Sequence, residues 1–295
     1  MKPPPFRYAD PGSLDEALAV LASEGDGAKV LAGGQSLIPL LSMRLAAPTT
    51  LVDINRVPGL DAVEVTGDGV RVGALVRHAR LLGDSPDVTA AARVQPLLAR
   101  ATAFVAHPAI RNRGTTVGSI AHADPSGEMT SVLAVTDGSV EVAEPSGART
   151  VPWRELFVGP LETSVHGAAV VTSAFFPALP PRSGTAFTEV ARRKGDYAMC
   201  GAAAVVTVDE DRRVEAVRVA YLSVGPVPEV HDLTEAVAGK PAEGADWAAA
   251  GALARARVEP DGDLHASADY RRHLVGVLTE RTLHAAASEA LRKVA

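Results

Sequence analysis

Three stretches of the chain combine residue types and spacings suited to holding an anion or a cofactor. The first is Lys29-Val30-Leu31-Ala32-Gly33-Gly34-Gln35-Ser36-Leu37. An apolar strand pattern runs into two glycines and then into a helical pattern. Glycines let the backbone approach an anion closely, and free N–H groups at a helix start favour phosphate. The pattern is neither G-x-G-x-x-G nor a P-loop, and alone it also reads as a tight strand-to-helix turn. The second stretch, Arg111 to Pro125, packs small residues, hydroxyls, two guanidinium groups and Asp124 into one segment. Thr and Ser hydroxyls with backbone donors suit phosphate oxygens, and Asp124 suits sugar-like hydroxyls. Two anion-friendly segments together suggest a diphosphate held from both sides. The third is Arg192-Arg193-Lys194-Gly195-Asp196-Tyr197, where three cations sit beside an aromatic. It could face a cofactor, or form a solvated basic patch with Tyr197 packed into a core.

Other chemistries lack their residues. The eight histidines show no metal-ligand spacing, and His265, His273 and His284 are expected at the surface. Ser36 and Ser119 lack the G-x-S-x-G elbow of a hydrolase. The single Cys200 excludes an internal disulfide, a Cys₄ zinc site or an iron–sulfur cluster held by this chain alone. A net charge of −6 and 4% aromatics argue against nucleic acid as the partner. The first residues show no signal-peptide pattern and no run is long enough to span a bilayer, so a cytoplasmic location is expected.

The elements that must position these segments follow from the pattern. With 47% hydrophobic and 22% charged residues, a chain of 295 has the composition and length of about two globular domains. Strand, helix, strand, helix, strand is predicted over the first fifty-odd residues, with Ser13-Leu14-Asp15-Glu16 as a capping box. A hairpin is expected where Val63–Val65 and Val70–Val72 flank the turn cluster 66–69. Ser85-Pro86 predicts a helix running to about Phe104, followed by a long loop from His107 to Gly118. Glu128 to Val135 reads as a helix. Pro177 to Gly184 reads as the inter-domain linker. Beyond it, strands at 202–208 and 214–224 and helices at 245–256 and 267–295 are expected.

Taken together, the chemistry-bearing segments resemble the FAD-binding medium subunits of molybdenum hydroxylases of the carbon-monoxide-dehydrogenase type. The resemblance runs through Ser13-Leu14-Asp15-Glu16-Ala17, Ala32-Gly33-Gly34-Gln35-Ser36-Leu37-Ile38-Pro39, Leu51-Val52-Asp53-Ile54 and Ile110-Arg111-Asn112-Arg113-Gly114-Thr115. It continues through Gly118-Ser119-Ile120-Ala121-His122-Ala123-Asp124-Pro125, Gly159-Pro160-Leu161-Glu162-Thr163, Arg192–Tyr197 and Ser267–Leu274. It implies an α+β fold of the vanillyl-alcohol-oxidase type. Its FAD-binding domain would span 1–176, as two α/β subdomains at about 1–55 and 56–176. A C-terminal domain with an antiparallel sheet and helices would span 185–295.

The resemblance carries FAD contact onto Lys29, Val30, Leu31, Ala32, Gly33, Gly34, Gln35, Ser36 and Leu37, and onto Thr115, Thr116, Val117, Gly118 and Ser119, with the diphosphate between the two loops. It places Asp124 on the flavin's hydroxylated chain, and adds Leu161, Lys194 and Tyr197. Val117 departs from the pattern, standing where relatives commonly have Gly. If that position needs positive φ, Val is strained there; if it needs close approach, the phosphate contact weakens. The implied role is electron transfer through FAD from the [2Fe–2S] clusters of a small subunit to an external acceptor. A large molybdenum-cofactor subunit would oxidise the substrate, in a dimer of heterotrimers. Two competing readings are a stand-alone FAD-dependent oxidoreductase and a flavin-free binding module in which Val117 has spoiled the site.

Overall fold

The computed structural model describes residues 2–294. It begins with β1 (Arg7–Ala9), α1 (Leu14–Glu24), β2 (Ala28–Leu31), α2 (Leu37–Met43) and β3 (Thr50–Asp53). The three strands form a parallel sheet in the order β1-β3-β2, as the alternating pattern predicts. The cap of α1 forms as read. The Ser13 hydroxyl accepts from the Glu16 N–H at 3.2 Å, while the Glu16 carboxylate accepts from the Gly12 N–H at 2.8 Å. The first bond satisfies a donor that a helix start leaves orphaned, whereas the second falls one residue before the cap, on Gly12 rather than Ser13.

Next come β4 (Val63–Val65), β5 (Gly69–Gly73), α3 (Pro86–Val94), α4 (Leu97–Thr102), α5 (Pro108–Arg111), α6 (Thr116–His122) and α7 (Glu128–Val135). They are followed by β6 (Ser139–Glu144), β7 (Gly147–Pro152), α8 (Trp153–Leu156), β8 (Phe157–Gly159), β9 (Glu162–Thr163) and β10 (Val170–Pro177). β4-β5-β10-β6-β7 is an antiparallel sheet, and β8 with β9 is a short ribbon. Two expectations fail in this region. The helix from Pro86 does not reach Phe104: it stops before Gln95-Pro96, because Pro96 lacks an N–H and biases Gln95 out of helical geometry, to φ −134° and ψ 81°. The segment 107–118 is not a long loop either. It holds α5, with Pro108 at its first position, and the start of α6, whose Thr115 cap accepts from the Gly118 N–H at 3.0 Å.

The C-terminal part holds β11 (Ser183–Ala191), β12 (Ala198–Val208), β13 (Val214–Leu222), β14 (Glu229–Asp232), α9 (Thr234–Val237), α10 (Trp247–Arg257) and α11 (Ala268–Arg292). The antiparallel sheet runs in the order β11-β12-β13-β14. The sequence reading missed β11 and β14. The Pro-rich segment hides the start of β11, where Gly184 looks like linker. A Cβ at Gly184 would lie 2.0 Å from the Ala286 carbonyl oxygen, so this glycine lets the strand pack directly on the α11 backbone. Ser267 caps α11 as expected, accepting from the Tyr270 N–H at 3.2 Å.

Strand β12 is covered on both faces. Cys200, Ala202, Ala204, Val206 and Val208 join the core beneath α10 and α11, whereas Ala203 and Val205 join the core containing α7. Alternation with period 2 therefore stitches the C-terminal sheet onto the preceding part of the chain. Met129 to Val135 of α7 are all buried, since this helix is enclosed rather than amphipathic.

Candidate FAD site

A cleft of about 1120 Å³ opens where the loop after β2, the start of α6 and the turn between β11 and β12 converge. Of the residues singled out in the sequence, Lys29 through Leu37, Thr115, Val117, Gly118, Ser119, Asp124, Leu161 and Tyr197 line it. Thr116 and Lys194 do not. The Thr116 side chain is fully buried, with its hydroxyl 3.4 Å from Nδ1 of His78. Tyr197 does not pack in a core, because the β11–β12 turn leaves it 68% exposed.

The first two segments meet at van der Waals contact. A Cβ on Gly33 would stand 2.4 Å from the Arg113 carbonyl oxygen and 2.7 Å from the Gly114 Cα, so only glycine permits this approach. Gly34 follows at φ +72°. Among the described residues, the N–H groups of Gly33, Gly34, Gln35 and Ser36 donate to no protein acceptor. Four neighbouring donors on the wall of a cleft are what a diphosphate needs. Across the cleft, the start of α6 contributes the Thr115 and Ser119 side chains and the Val117 N–H, while the N–H groups of Thr116, Gly118 and Ser119 are bonded within the protein.

Val117 settles one of the two expectations, because the position needs no positive φ. It is the second residue of α6, has no positive φ, and is 2% exposed with its side chain in the core. The valine is therefore an unstrained packing residue. Backbone strain lies elsewhere, at Leu161 on the cleft (φ 59°) and at the buried Ala123 beneath it (φ 54°). These two are joined by the Leu161 N–H donating to the Ala123 carbonyl at 2.9 Å, and Leu161 is 53% exposed. Such outliers persist only where the surroundings over-determine them.

Sequence reasoning missed His78, His107, Glu128, His166, Gly167 and Met199 in the lining. Glu128 carried a local signal, since it opens α7 directly after a Gly127 cap. His78 carried none. Burial, aided by Arg111, lowers its pKa to about 4, so its ring is neutral at neutral pH. The Asp124 carboxylate accepts from the Ser126 N–H at 2.8 Å through one oxygen. Burial and then Asp124 push Glu128 up to about 7, and burial with Glu128 pushes Glu189 up to about 8. Partial desolvation of its hydroxyl by the cleft wall raises Tyr197 as well, with Asp124 and Glu128 adding to it, although most of the side chain stays exposed. Burial thus favours the protonated forms of Glu128, on the cleft wall, and of Glu189, outside the lining.

Fold, cleft and donor set together define an FAD-binding protein. Residues 4–179 match the family described as the FAD binding domain in molybdopterin dehydrogenase, and residues 185–286 match the CO dehydrogenase flavoprotein C-terminal domain. The chain is 40% identical to the 6-hydroxypseudooxynicotine dehydrogenase complex subunit alpha of Paenarthrobacter nicotinovorans, over 96% of this chain and 95% of that protein. It is 36% identical to the carbon monoxide dehydrogenase medium chain of Hydrogenophaga pseudoflava, over 97% of this chain and 98% of that one. The crystal structure of quinoline 2-oxidoreductase from Pseudomonas putida 86 superposes with a TM-score of 0.90 at 36% identity, covering 99% of this chain and 100% of that one.

The chain belongs to the family of FAD-binding medium subunits of molybdenum hydroxylases, of the carbon-monoxide-dehydrogenase type. Its cofactor is FAD, and its class is oxidoreductase. Among the described residues no helix is long and apolar enough to cross a membrane.

Proposed function

We propose that this chain carries electrons through FAD, from [2Fe–2S] clusters of a small partner subunit to an external acceptor, while a large molybdenum-cofactor subunit oxidises the substrate. The observation that carries the site assignment is the pair of apposed loops with four unpartnered N–H groups on the cleft wall. In this reading Ala32–Ser36 and Thr115, Val117, Gly118 and Ser119 grip the diphosphate from two sides. Asp124 accepts from the hydroxylated chain through the oxygen that Ser126 leaves free. Leu161 and Tyr197 border the ring. Lys194, outside the lining, acts through its charge alone. Residues 1–176 would form the FAD-binding domain and 185–295 the C-terminal domain. Bound FAD supplies the conversion between one- and two-electron transfer. The chain's own part is to bind, orient and electrostatically tune that group.

Single Cys200, buried and alone, supports the division of labour, because clusters must come from another chain. Relatives named as the alpha subunit of a complex and as a medium chain support a multi-subunit assembly, here read as a cytoplasmic dimer of heterotrimers. The test has two parts. The visible spectrum of the purified chain, with the released cofactor identified, should show oxidised flavin and stoichiometric FAD. Pull-down from the native host should recover a cysteine-rich iron–sulfur chain and a large chain. A colourless protein indifferent to added FAD defeats the site assignment. A flavoprotein that purifies alone and turns over a small molecule unaided defeats the subunit role.

A further inference from the structure

We propose that Arg77 is a positioning residue for the cofactor, setting the spacing of the two diphosphate loops without touching the ligand. Its guanidinium donates from Nη1 to the Arg113 carbonyl and from Nη2 to Oδ1 of Asn55. Asn55 in turn donates from Nδ2 to the Ala32 carbonyl at 2.8 Å. The chain Ala32–Asn55–Arg77–Arg113 therefore ties the first loop to the second. It ends on the same Arg113 carbonyl that occupies the space a Gly33 side chain would need. Arg77 does not line the cleft, so it acts from behind the loops.

Two features separate this role from simple support of the fold. The main chain around Arg77 has its own anchors: the His78 N–H donates to the Gly114 carbonyl at 3.0 Å, and the Thr116 N–H to the Val76 carbonyl at 3.2 Å. Losing the side chain leaves those bonds in place and frees only the loop spacing. The position is also costly to a cation. Burial and then Arg113 lower the Arg77 pKa, and Asp53 offsets this only in part. A planar fork with two donors at fixed separation explains why arginine stands there: it spans two acceptors that a single ammonium cannot.

This inference rests on the reading that the two loops hold the diphosphate, and the test keeps the two apart. Apoprotein is titrated with FAD and, separately, with ADP, and its own thermal midpoint is recorded. Arg77→Met should weaken FAD and ADP by the same factor, about tenfold, with the apoprotein midpoint unchanged. Arg77→Lys should recover part of that loss. Asn55→Ala, an exposed change that cuts the same link, should mimic it, and the double variant should be no worse than Arg77→Met. FAD affinity within about twofold of wild type in both single variants overturns the inference, as do additive losses or a midpoint that falls in step with affinity. Gly33→Ala serves as the control. If it too leaves FAD binding intact, the loop assignment fails; if it weakens binding while Arg77→Met does not, only the positioning role fails.

Discussion

Arg100 on α4 and Glu289 on α11 form an ion pair over the outer edge of β11, and both also bond the backbone of Thr185. The guanidinium donates to the Thr185 carbonyl, and to its hydroxyl at 2.6 Å, while the carboxylate accepts from the Thr185 N–H at 2.9 Å. β11 is an edge strand, and its unpaired groups are a template for non-native pairing. Side chains from two helices close it here. Arg100→Met should cost about 1–3 kcal/mol in denaturant unfolding, because it leaves a half-buried Glu289 with only the Thr185 N–H and Lys293 as partners. Burial acts to raise the Glu289 pKa, but hydrogen bonds from Arg100 and the Thr185 N–H outweigh it and hold the group below its ordinary 4.5. Its contribution is thus complete above the unfolded value and disappears as pH falls through the lowered folded value. Glu289→Gln should flatten the acid limb of the stability profile. An unchanged limb refutes the assignment.

Glu189 and Glu128 have the opposite linkage. Their folded values are raised to about 8 and about 7, so the neutral forms are favoured in the native state. The stability they contribute is complete below the unfolded value near 4.5 and is lost as pH rises through the folded values. Oε2 of Glu189 is buried without a hydrogen-bond partner, which makes its ionisation costly. Glu189→Gln should match wild type at about pH 4 and exceed it at about pH 9 by on the order of 1 kcal/mol or more. Equal stability of the two proteins at the higher pH contradicts this.

Val117→Gly tests whether the departure from the family pattern impairs the site. Val117 is a helical core residue, so the glycine variant should lose about 2–3 kcal/mol through backbone freedom and a small cavity. FAD affinity should not improve. A tighter flavin complex in the variant would show that the valine obstructs the phosphate.

Cys200 should be silent to thiol reagents. It is 0% exposed, and burial pushes its thiol up to about 12, with Arg271 opposing only weakly. Labelling at pH 8 should be negligible in the native protein and complete after unfolding. Rapid native labelling would mean that β12 opens.

Much of the architecture was legible in local chemistry. Ser13 and Glu16 announce α1, the 66–69 turn cluster announces the β4–β5 hairpin, and the apolar run into Gly33-Gly34 announces a strand-to-helix turn. These signals span a few residues, and the backbone answers to them directly. Ordered blocks from Ser13 to Leu274 also carried the family and hence the cofactor. What no window could show are relations between distant segments. Gly33 is glycine because Arg113 lies against it, Gly184 because α11 does, and Glu189 favours its protonated form because packing buries it and α7 adds the charge of Glu128. Even the alternation of β12 becomes meaningful only once helices cover one face and α7 the other. The sequence alone determined the local elements and the class of cofactor. Tertiary packing decided loop spacing, the sealing of β11 and the protonation of the cleft, because each depends on burial and contact between residues far apart in the chain.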